Sequence, residues 1–286
     1  GPAATAVWRL VLSGTVFYLV ALVLSRRADD TARALADPWT LLAAIGFAGT
    51  VGFLYAAQRS SSVANAAALT NLAPIVIALV SWLVLRRPVS FRVVMGLTLA
   101  FGSTVLLVGE GGVRGEPERV TGDVLGVLSG ASHALYYAAM SRAVRRMPAR
   151  EAMVGVSWLA AALLLPVALL MGEPVLPETA AGWTAVAMVA LLGSLVGQGL
   201  LVVALTRLSP LQVSATALLE PLFAGLLAFV LLAEVLTPLQ TAAGVAAMIG
   251  VAVVNVARRT PRSSSQGTRP ARRALCDGNA VGSERS

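Results

Sequence analysis

The sequence predicts an all-α integral membrane protein, a multi-span helical bundle made of two inverted repeats. Three observations carry that prediction. Hydrophobic residues make up 57% of the chain and charged residues only 13%, with a mean hydropathy of +0.79, which leaves too little polar surface to cover a soluble globule. The apolar residues fall in successive blocks of about 20, the length at which an α-helix crosses a ~30 Å hydrocarbon core. The run around Pro74 also returns around Pro221. The alternating in/out pattern of a β-barrel is not seen.

Nine spans are expected in order. Ala3–Ser25 ends at the Arg26-Arg27 pair; no basic leader precedes it, so it does not read as a cleavable signal peptide. Trp39–Gln58 stops at Arg59. Ser62–Leu85 carries Pro74 and ends at "RRPVS". Phe91–Gly109 runs into "GEGGVRGEPERV", and Gly122–Ala143 ends among Arg142, Arg145 and Arg146. Glu151–Met171 stops at "GEPVLPET", Gly182–Thr206 at Arg207, and Leu211–Ala233 at Glu234. Leu239–Ala257 closes the series at the Arg258-Arg259 pair. The intervening segments are rich in Gly, Pro and charge, as helix breaks are. The tail 258–286 is polar, basic and rich in Ser, Pro and Gly, which reads as disordered.

All 22 basic residues are arginines, and the formal charge is +8. Their positions follow membrane topology rather than a nucleic-acid-binding face. One set of loops holds Arg26, Arg27, Arg33, Arg86, Arg87, Arg92, Arg142, Arg145, Arg146, Arg150 and Arg207, and the tail falls on that side. The opposite set holds Arg59, Arg114 and Arg119 among glutamates. The arginine-rich side is expected to be cytoplasmic in a plasma (inner) membrane, with Gly1 outside.

Setting Pro74 against Pro221 aligns "ALTNLAPIVIALVSWLVLRR" with "SATALLEPLFAGLLAFVLLAE", and "GLTLAFGSTVLL" then meets "GVAAMIGVAVV" after a one-residue slip. The third span matches the eighth and the fourth the ninth. An offset of five spans reverses orientation, so the repeats are inverted. Inverted repeats with proline-interrupted helices at matching places point to a secondary transporter with a midplane site. The domain reading is a first repeat over 1–109, a connecting loop over 110–121, a second repeat over 122–257 and the tail. The helix Gly122–Ala143 has no mate in the first repeat; one is expected ahead of Ala3, making ten spans in a complete chain.

The stretches "EPLFAGLLAFVLLAEVLTPLQTAAGVAAMIGVAVV", "APIVIALVSWLVLRRPVSFRVVMGLTLAFGSTVLL" and "GDVLGVLSGASHALYYAAMSRAVRR" resemble the drug/metabolite transporter superfamily, EamA type. The opening "GPAATAVWRLVLSG", with Arg9, resembles the start of that family's second helix. The resemblance covers Gly1 to about Arg259. It implies a five-plus-five inverted fold and export of a small organic metabolite or drug by alternating access. The chain departs from the pattern in lacking the first helix, and in carrying His133 where relatives usually have an aromatic.

Glu220 lies about 13.5 Å into its span, near the midplane. A carboxylate there costs about 2.5–3.5 kcal/mol on insertion scales, so it should face a cavity, carry a proton or be paired. Pro221 cannot donate to the Ala217 carbonyl, which is freed for substrate, water or a neighbouring helix. The bland reading is a structural carboxylate beside a kink. His133 and Tyr137 share a helix face; an imidazole there can relay protons or simply hydrogen-bond within the bundle. Asn71, three residues before Pro74, and Gln198 are polar at membrane depth, where interhelical hydrogen bonds are the usual role. Tyr55 lines the cavity or marks the outer interface. Arg9 snorkels or pairs with an acid such as Glu220. Gly126/Gly130, Gly193/Gly197, Gly96/Gly102 and Gly244/Gly250 are expected to permit close helix packing.

A lone cysteine, Cys276, and a lone histidine leave no cofactor or metal expectation. Without a GxxxxGK[ST] loop, an HExxH motif or a GxSxG elbow, the chain is not expected to be an ATPase or one of those hydrolases. The expected partners are a small-molecule substrate and the lipid bilayer, with a homodimer allowed and no nucleic acid. Two rival classes are an intramembrane enzyme using Glu220 and His133, and a non-transporting scaffold whose basic tail binds anionic lipid.

Overall fold

The protein is described here by a computed structural model covering residues 2–25, 29–61, 63–86, 88–109, 117–177, 179–223, 226 and 237–259. The connecting loop 110–116, most of the second half of the eighth expected span and the basic tail from 260 lie outside the described residues. Every regular element among the described residues is helical, and five helices are long and apolar enough to cross a membrane. The expected all-α membrane bundle is what the chain forms.

Helix α1 (Pro2–Ser25) is followed by a short helix, α2 (Asp29–Ala36), and by α3 (Pro38–Ser60). Asp37 ends one and starts the other: its carboxylate accepts from the Thr40 backbone N–H at 2.9 Å, with Pro38 in the first turn. Hydropathy places 29–36 between two spans, with no helix expected there. The helix forms because it docks on α8 (Ala149–Leu170), where a methyl at Gly155 would lie 3.0 Å from the Ala34 carbonyl oxygen.

The third expected span is two helices, α4 (Val63–Thr70) and α5 (Ala73–Leu83), interrupted by a turn at Asn71–Leu72. Helix α6 (Phe91–Gly109) has the expected limits, whereas α7 (Pro117–Ala143) starts five residues earlier than read from hydropathy. A proline is welcome at the first helical position, and polar residues at a helix end need not stop it. Helix α8 contains Pro166 and ends at Gly172, whose φ of 67° suits glycine. That turn aims Glu173 at the first turn of α1, where its carboxylate accepts from the Ala4 N–H at 2.8 Å.

The seventh span is α9 (Ala180–Met188), a π-helical segment (Val189–Gln198) and α10 (Gly199–Leu205). Helix α11 (Pro210–Ala217) starts with a capping box between Ser209 and Gln212; a turn at Leu218–Leu219 precedes the helical residues 220–223, and α12 (Pro238–Arg259) closes the bundle.

The main core lies where α1, α3, α7 and α8 meet, around Phe47, Tyr136, Met140 and Leu164. Helices α6 and α12 pack as a second unit, backbone to backbone: a methyl at Gly96 would stand 2.8 Å from the Gly250 carbonyl oxygen. The glycine expectation holds there and for Gly126 and Gly130 against α4. Among the described residues it fails for Gly102, where an added methyl would meet nothing within 4 Å, and for Gly193 and Gly197, where it would meet only atoms of their own helix. The arginine-bearing loops gather at one end: Arg142 stacks over Trp39 at 4.4 Å, Arg146 reaches Asp37, and Leu85, Arg145 and Ser209 border one cavity.

Candidate functional site

Proline at position 74 removes the N–H that would bond the Thr70 carbonyl, and the helix breaks just upstream. Helix α7 fills the place. A methyl at Gly130 would lie 2.6 Å from the Leu69 carbonyl oxygen and 3.2 Å from that of Thr70, so only glycine lets α7 come so near. One residue earlier, the Ser129 hydroxyl lies 2.9 Å from the Thr70 hydroxyl and donates to the Thr50 carbonyl at 2.8 Å, tying α3, α4 and α7 together. Asn71 sits in the break, half-buried; its backbone N–H bonds back to Ala67 and Ala68, and the interhelical bond expected of its side chain is made by Thr70 and Ser129 instead.

The second break has the same anatomy and different neighbours. The chain turns at Leu218–Leu219 and resumes helix at Glu220-Pro221. Leu218 is buried against Ala100 and Val251, and the Thr216 hydroxyl accepts from Asn255 at 3.4 Å. Glu220 itself is exposed and Pro221 half-buried.

Tyr137 belongs to an aromatic cluster on α7. Its ring stacks on His133 with centroids 4.6 Å apart, and Tyr136 stands 5.6 Å from Tyr137 and 5.2 Å from Phe47 of α3. The Tyr136 hydroxyl donates to Gln198 Oε1 at 3.2 Å, at the end of the π-helical segment. His133 is half-buried, and its Nδ1 is buried with no hydrogen-bond partner. A void of about 10 Å³ beside Tyr136 and Gln198 has room for about one water. A larger cavity of about 560 Å³ opens at the arginine-rich end between α5, α7 and the start of α11, and reaches Ala134 and Ala138 of α7.

Of the residues singled out from sequence, the structure gathers His133, Tyr137 and, through Tyr136, Gln198 about α7, while Glu220 lies at the second break. Pro74 and Asn71 lie at the break that Gly130 covers, one turn along the same helix. Tyr55 packs toward Ala3, Ala4 and Ala168 at the arginine-poor end. Arg9 is half-buried with its Nε unpartnered, and among the described residues no ion pair joins it to Glu220. Tyr136, buried at the centre, escaped the sequence reading. The spacing from His133 to Tyr136 is three and to Tyr137 four, so all three share one face and the same rule would have found it.

The sequence profile of the EamA-like transporter family matches residues 1–109 and 120–256. A solved structure described only as "Crystal structure of protein" superposes with a TM-score of 0.77 at 22% identity, over 90% of this chain and 88% of its own. At that identity the likeness is one of fold. A search of curated proteins finds no match.

Proposed function

Since the chain belongs to the EamA-like transporter family, we propose that it is a secondary transporter that moves a small organic solute outward by alternating access of its two inverted halves, with Glu220 as the group that carries a proton or meets substrate charge. The observation that carries this reading is the pair of helix breaks beside Pro74 and Pro221, at matching places in the two halves. Broken helices at membrane depth place backbone carbonyls and a carboxylate where a polar solute can be held.

The roles divide by position. The cavity at the arginine-rich end is the entry vestibule, of a size that suits a small organic molecule. Beyond it, His133, Tyr136 and Tyr137 form the barrier that must part. Glu220 stands beside that barrier as the only acidic residue within the expected eighth span.

Reconstitution in proteoliposomes tests the assignment. Glu220→Gln keeps shape and hydrogen bonding but cannot exchange a proton. It should abolish flux driven by a pH gradient while leaving downhill exchange and membrane expression in place. Wild-type gradient-driven flux in this variant would make Glu220 structural, and would move the proton role to His133 or leave a transporter with no proton coupling.

A further inference from the structure

The arginine-rich end divides along α7. On the side of α3 and α8 arginine meets acid: Arg146 reaches Asp37 at 3.5 Å and Arg150 reaches Glu151 at 3.2 Å. On the side of α5 and α11 lies the vestibule of about 560 Å³, and its charged lining is Arg142 and Arg145, with no carboxylate among the described residues. Neither of these two is in an ion pair among the described residues. Membrane topology accounts for arginines at this end. It does not account for acids answering them on one side of the helix and not on the side that holds the cavity.

Arg142 is oriented without being neutralised. Its guanidinium lies 4.4 Å over the Trp39 ring, a contact made by the face of the cation that leaves the N–H edges in its plane free to donate. Arg145 is exposed at the same mouth. The rest of the wall is graded. Val76, Ile77 and Ala134 make the deep part apolar, and Ser81 places a hydroxyl one turn beyond Ile77 toward the arginines. From Ala134 to Arg142 the distance along α7 is about 12 Å, enough for a small organic molecule to lie with one end among methyl groups and the other at the guanidinium groups.

The geometry points to the class of solute: an organic anion, its apolar body against Val76 and Ala134 and its carboxylate, or another anionic group of that size, held by Arg142 and Arg145. An anionic solute presupposes the transporter reading and narrows it. An ionised Glu220 would repel such a solute, so of the two roles open to Glu220 the proton carrier is the one that is left.

The test takes the 286-residue chain in phosphatidylcholine nanodiscs with three radiolabelled probes that share one apolar body: phenylpropionate, phenylpropanol and phenylpropylamine. At neutral pH, equilibrium binding should favour the acid over the alcohol roughly tenfold, about threefold for each arginine, with the amine weakest. Arg142→Gln and Arg145→Gln replace exposed side chains, so the core is left alone. Each should weaken the acid roughly threefold and leave the alcohol unchanged. Arg146→Gln, on the other side of α7, should alter none of the three. Alcohol or amine bound as tightly as the acid, full acid affinity in both vestibule variants, or an equal loss in Arg146→Gln would overturn the anion class. Counterflow in proteoliposomes separates this inference from the transporter reading. Exchange of the amine and not the acid would overturn the anion class and leave the transporter standing. Arginine-dependent binding of the acid without counterflow of any probe would overturn the transporter and leave the anion site in place.

Discussion

At the first helix break, the carbonyls of Leu69 and Thr70 lie against Gly130 of α7, and Ser129 spends its hydroxyl on α3 while touching Thr70. At the second, Leu218 alone is deeply buried, Thr216 and Glu220 are exposed, and the nearest polar crosslink is the long bond from Asn255. Among the described residues, the same proline chemistry thus yields a sealed joint in one half and an open one in the other. Sealing takes a glycine on the facing helix and a hydroxyl one residue away; the proline supplies only the fault. The open joint is also the one with the carboxylate, since Ala73 occupies the matching position in the first half. Inverted symmetry in sequence therefore does not make the halves equivalent in chemistry.

Substitutions can break or sharpen that contrast. The largest effect should come from Glu220→Gln, which abolishes pH-gradient-driven flux in proteoliposomes yet leaves the thermal unfolding midpoint in detergent close to wild type, because an exposed side chain supports little packing. A clear fall in that midpoint would make the second joint as structural as the first. Next is Gly130→Val, whose branched side chain must enter the space of the Leu69 carbonyl; overpacking of this kind costs about 1–3 kcal/mol. It should be visible as a lowered unfolding midpoint, and a silent variant would mean that α7 does not seal the joint.

Ser129→Ala removes one hydroxyl with two contacts, to the Thr50 carbonyl and the Thr70 hydroxyl, and leaves Thr70 bonded only to the Ala66 carbonyl of its own helix. The expected loss is about 1 kcal/mol by equilibrium unfolding. Smallest of all is Thr216→Ala at the open joint, expected within about 0.5 kcal/mol of wild type. If Thr216→Ala costs as much as Ser129→Ala, the contrast between the joints collapses.

The breaks were legible in the sequence because a proline's missing donor acts whatever surrounds it. The limits of α6 were legible for a similar reason: the chain changes from apolar to polar at both ends. What escaped was decided across space. The stretch DDTARALA has the composition of a loop and becomes α2 by docking at Gly155. Gly193 and Gly197 repeat the four-residue spacing of Gly126 and Gly130, but among the described residues no other helix comes within 4 Å of where their Cβ atoms would stand, and their segment is π-helical instead. Spacing reports which residues share a face and not what lies opposite it. The same limit applies to the candidate site. His133 and Tyr137 were paired by their spacing, whereas the bond from Tyr136 to Gln198 joins residues 62 apart in sequence.

The crossing of α6 and α12 sets the kinematics of any movement between the halves. A methyl at Gly250 would stand 2.6 Å from both the Ala100 nitrogen and the Gly96 oxygen, so main chain meets main chain there, flanked by the side chains of Ala100 and Val254. Sliding one helix along the other would drive Ala100 or Val254 into the opposing main chain, whereas turning about the contact point moves no atom there very far. Helix α6 lies in the first stretch that the family profile matches and α12 in the second. At that crossing turning therefore displaces the two main chains less than sliding does, and the far ends of the helices would travel the greatest distance.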